Sequence, residues 1–194
     1  MARYVIGDIH GRIDALERLV QKAEISPSDE IWLVGDLVNT GPNSREVVRW
    51  ATERSNLRCV LGNHDLHMLA VVEDKRALRK KDTFQDLLDA PDADELIDWM
   101  RRQNLVWRED DFLMIHAGLL PEWTPQKAER LGKEIEDRLR ANPQKRSEFF
   151  DTMYGNKPRA WSDDLEGPAR RRITVNALTR CRVLTDKGKL QFEF

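Results

Sequence analysis

Short apolar runs that stop at a glycine or a polar residue recur along the first 120 positions. Arg3–Ile6 runs into Gly7-Asp8-Ile9-His10-Gly11, and Ile31–Val34 into Gly35-Asp36-Leu37-Val38-Asn39. Leu57–Leu61 runs into Gly62-Asn63-His64-Asp65, and Phe112–Ile115 into His116-Ala117-Gly118. Such runs read as buried strands, and a glycine at the end lets the backbone turn tightly. Between them the apolar spacing lengthens to the helical period. Ile13, Leu16, Leu19, Val20 and Ala23 line one helix, and Ser44 caps another that turns Val47, Val48 and Ala51 inward. A third runs from about His64 to Glu73. Residues 3–72 therefore predict consecutive β-α-β units, and right-handed crossovers give a parallel core.

Past residue 72 the pattern changes. Glu73–Asp82 carries five basic residues in ten, which reads either as a solvated face or as a clamp for a highly anionic ligand. Asp92–Gln103 predicts a helix capped by Asp92, with Leu96, Trp99 and Met100 buried. Thr124-Pro125 opens a further helix to about Arg140, stopped by Asn142-Pro143. Trp123 and Tyr154 lie near loops, where a ring either stacks on a base or packs into the core. Arg182–Phe194 reads as a hairpin around Asp186-Lys187-Gly188-Lys189.

Composition narrows the classes. The 194 residues suffice for one well-buried domain spanning 1–194, with a helical insertion at about 73–105. A net charge of −2 gives no overall electrostatic footprint for nucleic acid or an anionic membrane. Cys59 and Cys181 lie in or beside apolar runs and read as reduced thiols. No run reaches the ~18–20 apolar residues of a membrane span, and the N-terminus has no signal-like apolar region, so the expectation is a cytoplasmic protein.

The residues at the four strand ends are the candidate chemistry. A lone Asp there is ordinarily a cap or a turn former, and a lone His a satisfied structural group. Together, in order, they form a set of metal ligands: Asp8, His10, Asp36, Asn63 and His116. Mixed carboxylate, amide and imidazole donors suit two divalent ions, Mn²⁺ first, with Co²⁺, Mg²⁺, Fe or Zn as alternatives. A dinuclear centre needs a bridging carboxylate, and Asp36, from the central strand, is the natural bridge. His64 reads as an acid for the leaving oxygen, with Asp65 as its orienting carboxylate. His67, one turn along, reads as structural or as a second approach to the site.

These motifs resemble the calcineurin-like metallophosphoesterases. Gly35-Asp-Leu-Val-Asn39, Gly62–Ala70, Leu88–Leu96, Met153-Tyr-Gly155 and Trp161-Ser162 resemble, more narrowly, the bacterial symmetrical diadenosine tetraphosphatases. The resemblance implies an α/β sandwich of two mixed sheets flanked by helices, the second sheet complete or cut short. It also implies hydrolysis of diadenosine tetraphosphate to two ADP by an activated water, with nucleotide-capped RNA 5′ ends as a further substrate. Asp8, His10 and Asp36 would hold one ion and Asp36, Asn63 and His116 the other, with His64 as acid and Asp65 beside it. Two departures stand out. Thr40 occupies the place of a phosphate-gripping arginine, and the family continues past position 194 with a histidine that completes the second ion's ligands. Asn39, Lys81 and Arg180 are the candidate substrate contacts, the last two as substitutes for the lost charge. A phosphoprotein phosphatase or general phosphodiesterase, and a binding protein with little turnover, are the competing readings. No membrane or obligate protein partner is indicated.

Overall fold

The computed structural model describes residues 2–193, which divide into two compact units between Gln103 and Asn104. The first begins with β1 (Arg3–Ile6), α1 (Ile13–Lys22), β2 (Glu30–Leu33), α2 (Ser44–Thr52), β3 (Leu57–Cys59) and α3 (Asn63–Val72). It closes with α4 (Gln85–Leu88) and α5 (Ala93–Arg102). The three strands form one parallel sheet in the order β1-β2-β3, with Arg3 opposite Glu30 and Ile31 opposite Leu57. β2 is central, and its Ile31, Trp32 and Leu33 are buried, whereas Val5 on the edge strand β1 is 63% exposed. Sheet-side residues of the helices fill the core: Leu16, Val47, Val48, Leu66 and Leu69 are all nearly or wholly buried. Each such side chain contributes about 1.5–3 kcal/mol.

Local details depart from the pattern. Residues 73–84 contain no helix, so the helical part of the expected insertion is α4 and α5 alone. Asp92 precedes α5 but makes no side-chain cap; both its oxygens bind Arg49, at 2.7 and 2.5 Å. Ile97, not Trp99, joins Leu96 and Met100 in the core.

The second unit holds β4 (Trp107–Glu109), β5 (Phe112–Met114), α6 (Pro125–Leu139), α7 (Pro143–Met153), α8 (Gly167–Arg180), β6 (Val183–Leu184) and β7 (Leu190–Gln191). Its strands form two antiparallel pairs, β4-β5 and β6-β7. The β6-β7 pair is the hairpin expected from the sequence, with Gly188 at φ +69. Thr124 caps α6 through its hydroxyl, which accepts from the Lys127 amide at 3.2 Å. Asn142 does more than end that helix: its side chain caps α7, accepting from the Lys145 amide. Trp123 packs edge-on to Trp161 and is 5% exposed, the core fate rather than the stacking one. Both cysteines are free and buried, and no helix among the described residues is long and apolar enough to cross a membrane.

Candidate metal centre

Three adjacent parallel strands deliver their following loops to one edge of the sheet, and backbone hydrogen bonds stitch those loops together. The amides of Ile9 and His10 both donate to the Asp36 carbonyl, at 3.1 and 2.9 Å, and the Gly41 amide donates to the His10 carbonyl at 2.9 Å. Such tight turns demand unusual backbone. His10, Asp36, Asn39 and Thr40 all have positive φ, four of the seven such non-glycine residues described. Strain of this kind collects at functional loops and persists only where the surroundings hold it. Two glycines make the approach possible. A Cβ on Gly41 would sit 2.1 Å from the His10 carbonyl oxygen, and one on Gly62 2.0 Å from Asp36 Oδ1.

Within this frame Asp36 is 3% exposed. Its Oδ1 accepts from the His64 amide at 2.9 Å, while its Oδ2 lies 3.8 Å from His10 Nε2. Asp8 Oδ2 is 3.7 Å from the same nitrogen. These separations are too long for hydrogen bonds. They suit donors converging on a cation, since two atoms each about 2.1 Å from one ion lie at most ~4.2 Å apart. Ligand atoms of His10, Asp36 and His64 all fall within 4.8 Å of one another. A hard or borderline divalent ion fits this carboxylate and imidazole set.

His10 Nδ1 faces the Val38 carbonyl at 3.4 Å, as a metal-binding histidine's second nitrogen commonly faces a carbonyl. Asn63 is the first, half-buried residue of α3, directly before His64. The His64 ring packs edge-on to His10 at 4.8 Å, and its Nδ1 lies 3.1 Å from Asn39 Nδ2. Burial lowers the His64 pKa, partly opposed by Asp36.

Two residues take places the sequence did not foresee. The wholly buried Asp65 turns its carboxylate to backbone amides. Its carboxylate accepts from the amides of Asp36, Leu37, Val38 and Gly62, at 2.8, 2.9, 3.3 and 2.9 Å. Burial and the facing Asp36 push its pKa up to about 7. Asp65 is the peg on which the Asp36 loop hangs. Asn39, expected at the substrate, is 4% exposed and behind His64. Its backbone amide binds Ser44 Oγ, and its side chain is engaged by His64, Asp82, Thr40 and Thr83.

Lys81 is exposed at the end of the basic run. Asp82, which follows it, was missed, although a single acid closing five cations was a visible signal. His67 binds it, Nε2 to Oδ2 at 3.1 Å, a structural role.

His116 and Arg180 belong to the second unit. His116 is buried, and Arg182 Nη2 lies 3.3 Å from its Nε2, a neighbour not foreseen. Arg180 is half-buried, held by Asn156, Asn176 and the face of Phe192.

Residues 1–176 match the family model described as calcineurin-like phosphoesterase. A protein of Methylobacillus flagellatus called symmetrical bis(5'-nucleosyl)-tetraphosphatase is 45% identical over the whole chain, which spans 70% of that relative. One of Neisseria gonorrhoeae bearing the same name is 47% identical, again over the whole chain and 70% of the relative. Among solved structures, one described as a candidate diadenosine tetraphosphatase is 30% identical with a TM-score of 0.53. The match covers 63% of this chain and 52% of that one.

Proposed function

The chain belongs to the calcineurin-like phosphoesterase family, and on that footing we propose that it hydrolyses dinucleoside polyphosphates, converting diadenosine tetraphosphate and water into two ADP. The observation that carries this reading is the convergence of Asp8, His10, Asp36 and His64 at the ends of adjacent parallel strands. It is joined to similarity along the whole of this chain, though only 70% of each relative, with proteins of that name.

Family membership implies divalent metal ions, and Mn²⁺ is the proposed occupant. Bound there, such ions supply Lewis acidity and lower the pKa of water. Asp8, His10 and Asp36 would hold the first. Asp36, Asn63 and, from its sequence motif, His116 are the candidates for a second.

In the reaction, water's oxygen bonds to one of the two central phosphorus atoms. The bond from that phosphorus to the central bridging oxygen breaks, and the second ADP departs on that oxygen. His64 serves the departing oxygen as a hydrogen-bond donor, and the protons of the attacking water pass to solvent as the new phosphate ionises. Lys81 and Arg180 are candidate phosphate contacts, and capped RNA ends share the same anhydride chemistry.

The test is elemental analysis together with ADP release from diadenosine tetraphosphate. The Asp36→Asn variant is expected to lose affinity for both ions, because a bridge loses its charge, whereas Asp8→Asn mainly weakens one. Full occupancy in Asp36→Asn would overturn the bridging role. A metal-loaded wild-type chain that releases no ADP would overturn the activity.

A further inference from the structure

The imidazoles of His10 and His64 are set in opposite tautomers by what faces their Nδ1 atoms. At His10 the neighbour is the Val38 carbonyl, an acceptor, so the proton sits on Nδ1 and the Nε2 lone pair is left for a ligand role beside Asp8 and Asp36. At His64 the neighbour is the Asn39 side-chain amide.

The surroundings decide which way that amide points. One Asn39 atom receives the backbone amides of Thr40 and Thr83, both at 2.9 Å; the other faces Asp82 Oδ1 at 3.2 Å. A backbone N–H only donates and a carboxylate only accepts. The oxygen must therefore face the amides and the nitrogen must face Asp82 and His64. Both hydrogens of the Asn39 amide are then used, and its oxygen takes the two backbone amides, with the Thr83 hydroxyl farther off at 3.5 Å. Its N–H directed at His64 Nδ1 requires a lone pair there, which places the His64 proton on Nε2.

We propose that Asp82 is a positioning residue that, acting through Asn39, keeps His64 a hydrogen-bond donor at Nε2 and prevents it from joining His10 and Asp36 as a metal ligand. The proposal rests on the metallohydrolase reading above. The need for such a device follows from the crowding, since candidate ligand atoms of His64, His10 and Asp36 lie within 4.8 Å of one another and a small shift of the ring would bring all three onto one ion. Turning the Asn39 amide over would put its oxygen against Nδ1, move the proton there and expose the Nε2 lone pair. Asp82 is well anchored against this. Its side chain is 2% exposed, and its Oδ2 holds the Arg79 amide at 2.8 Å and His67 Nε2 at 3.1 Å. Burial alone would raise its carboxyl, but the Arg79 amide, His67 and Asn39 outweigh that and hold it below the usual range. A neutral donor also suits an anhydride. A departing nucleoside diphosphate is a weak base, with a terminal phosphate pKa near ~6, and needs a hydrogen bond more than a transferred proton.

Asp82→Asn tests this. It is isosteric, but in either orientation its NH₂ opposes donors that the carboxylate accepted, and the lone donor on Oδ1 is Asn39. In metal-free protein labelled with ¹⁵N-histidine, at pH 8, wild-type His64 is expected to show a protonated Nε2 and an unprotonated Nδ1. Asp82→Asn should populate both tautomers. On tetraphosphate, Asp82→Asn should lower kcat at least about tenfold with KM changed less than about twofold. Combined with His64→Ala, it should add no further loss, because it acts through that ring. A wild-type His64 protonated on Nδ1 overturns the proposal whatever the variant does. So does an unchanged tautomer in a folded Asp82→Asn, or additive losses in the double variant. The NMR arm uses neither metal nor substrate, so a wild type that fails to cleave tetraphosphate would count against the assigned activity and leave this test standing.

Discussion

Replacing Asp65 by alanine separates two roles for this carboxylate: an orienting partner of His64, or a peg for the Asp36 loop. The side chain is wholly buried and accepts from four backbone amides, two on each oxygen. Alanine would leave all four donors buried without an acceptor. At about 1 kcal/mol each, the low end for a stranded donor, the loss is about 4 kcal/mol. That lies within the ~3–5 kcal/mol typical of breaking a buried charged network, and corresponds to a fall in melting temperature of ~8–16 °C for a chain of this size. Asp65→Asn should behave similarly, because its NH₂ opposes two amides in either orientation. The assay is denaturant unfolding of the metal-free protein beside a metal titration. The peg also holds Asp36 at φ +52, so metal affinity should fall together with stability. A stability loss under about 1 kcal/mol, with metal affinity intact and turnover reduced ~10²-fold or more, would refute the peg and restore a chemical role.

Other perturbations bear on neighbouring parts of the site. Thr40 is exposed and holds φ +68, a conformation that costs a β-branched residue most. Thr40→Arg should relieve part of that strain, supply a planar cationic donor and raise tetraphosphate turnover at saturating metal; unchanged or lower turnover would show that another cation already serves. The lowered pKa of Asp82 gives a sign for acid stability. Its contribution is full above the usual carboxylate pKa of ~3.9 and lost as pH falls through its lower folded value. Asp82→Asn should therefore show a shallower loss of stability on acidification, read from denaturant midpoints across that range, and an acid limb as steep as wild type's would contradict this.

The alternation of short apolar runs with helical spacing determined much of the first unit on its own. Strands buried on both faces and helices buried on one leave different periods, so β1, β2, β3 and the helices between them were legible from sequence. So were the glycine-bounded motifs that carry Asp8, His10, Asp36 and His64, because a turn at a strand end leaves a local signature. α7 and α8 were not anticipated. Asn142-Pro143 signals a stop and a start equally well, and only packing against other helices selects between them. The roles of Asp65, Asn39 and Asp82 were also beyond the sequence. A buried carboxylate takes whatever donors the fold brings to it, and those four amides come from two loops nearly 30 positions away or three residues back. Sequence spacing paired Asp65 with its neighbour His64, whereas the fold gave His64 a partner 25 residues away. Hydrogen-bond direction depends on which donor and acceptor face each other in space, and only the tertiary structure decides that.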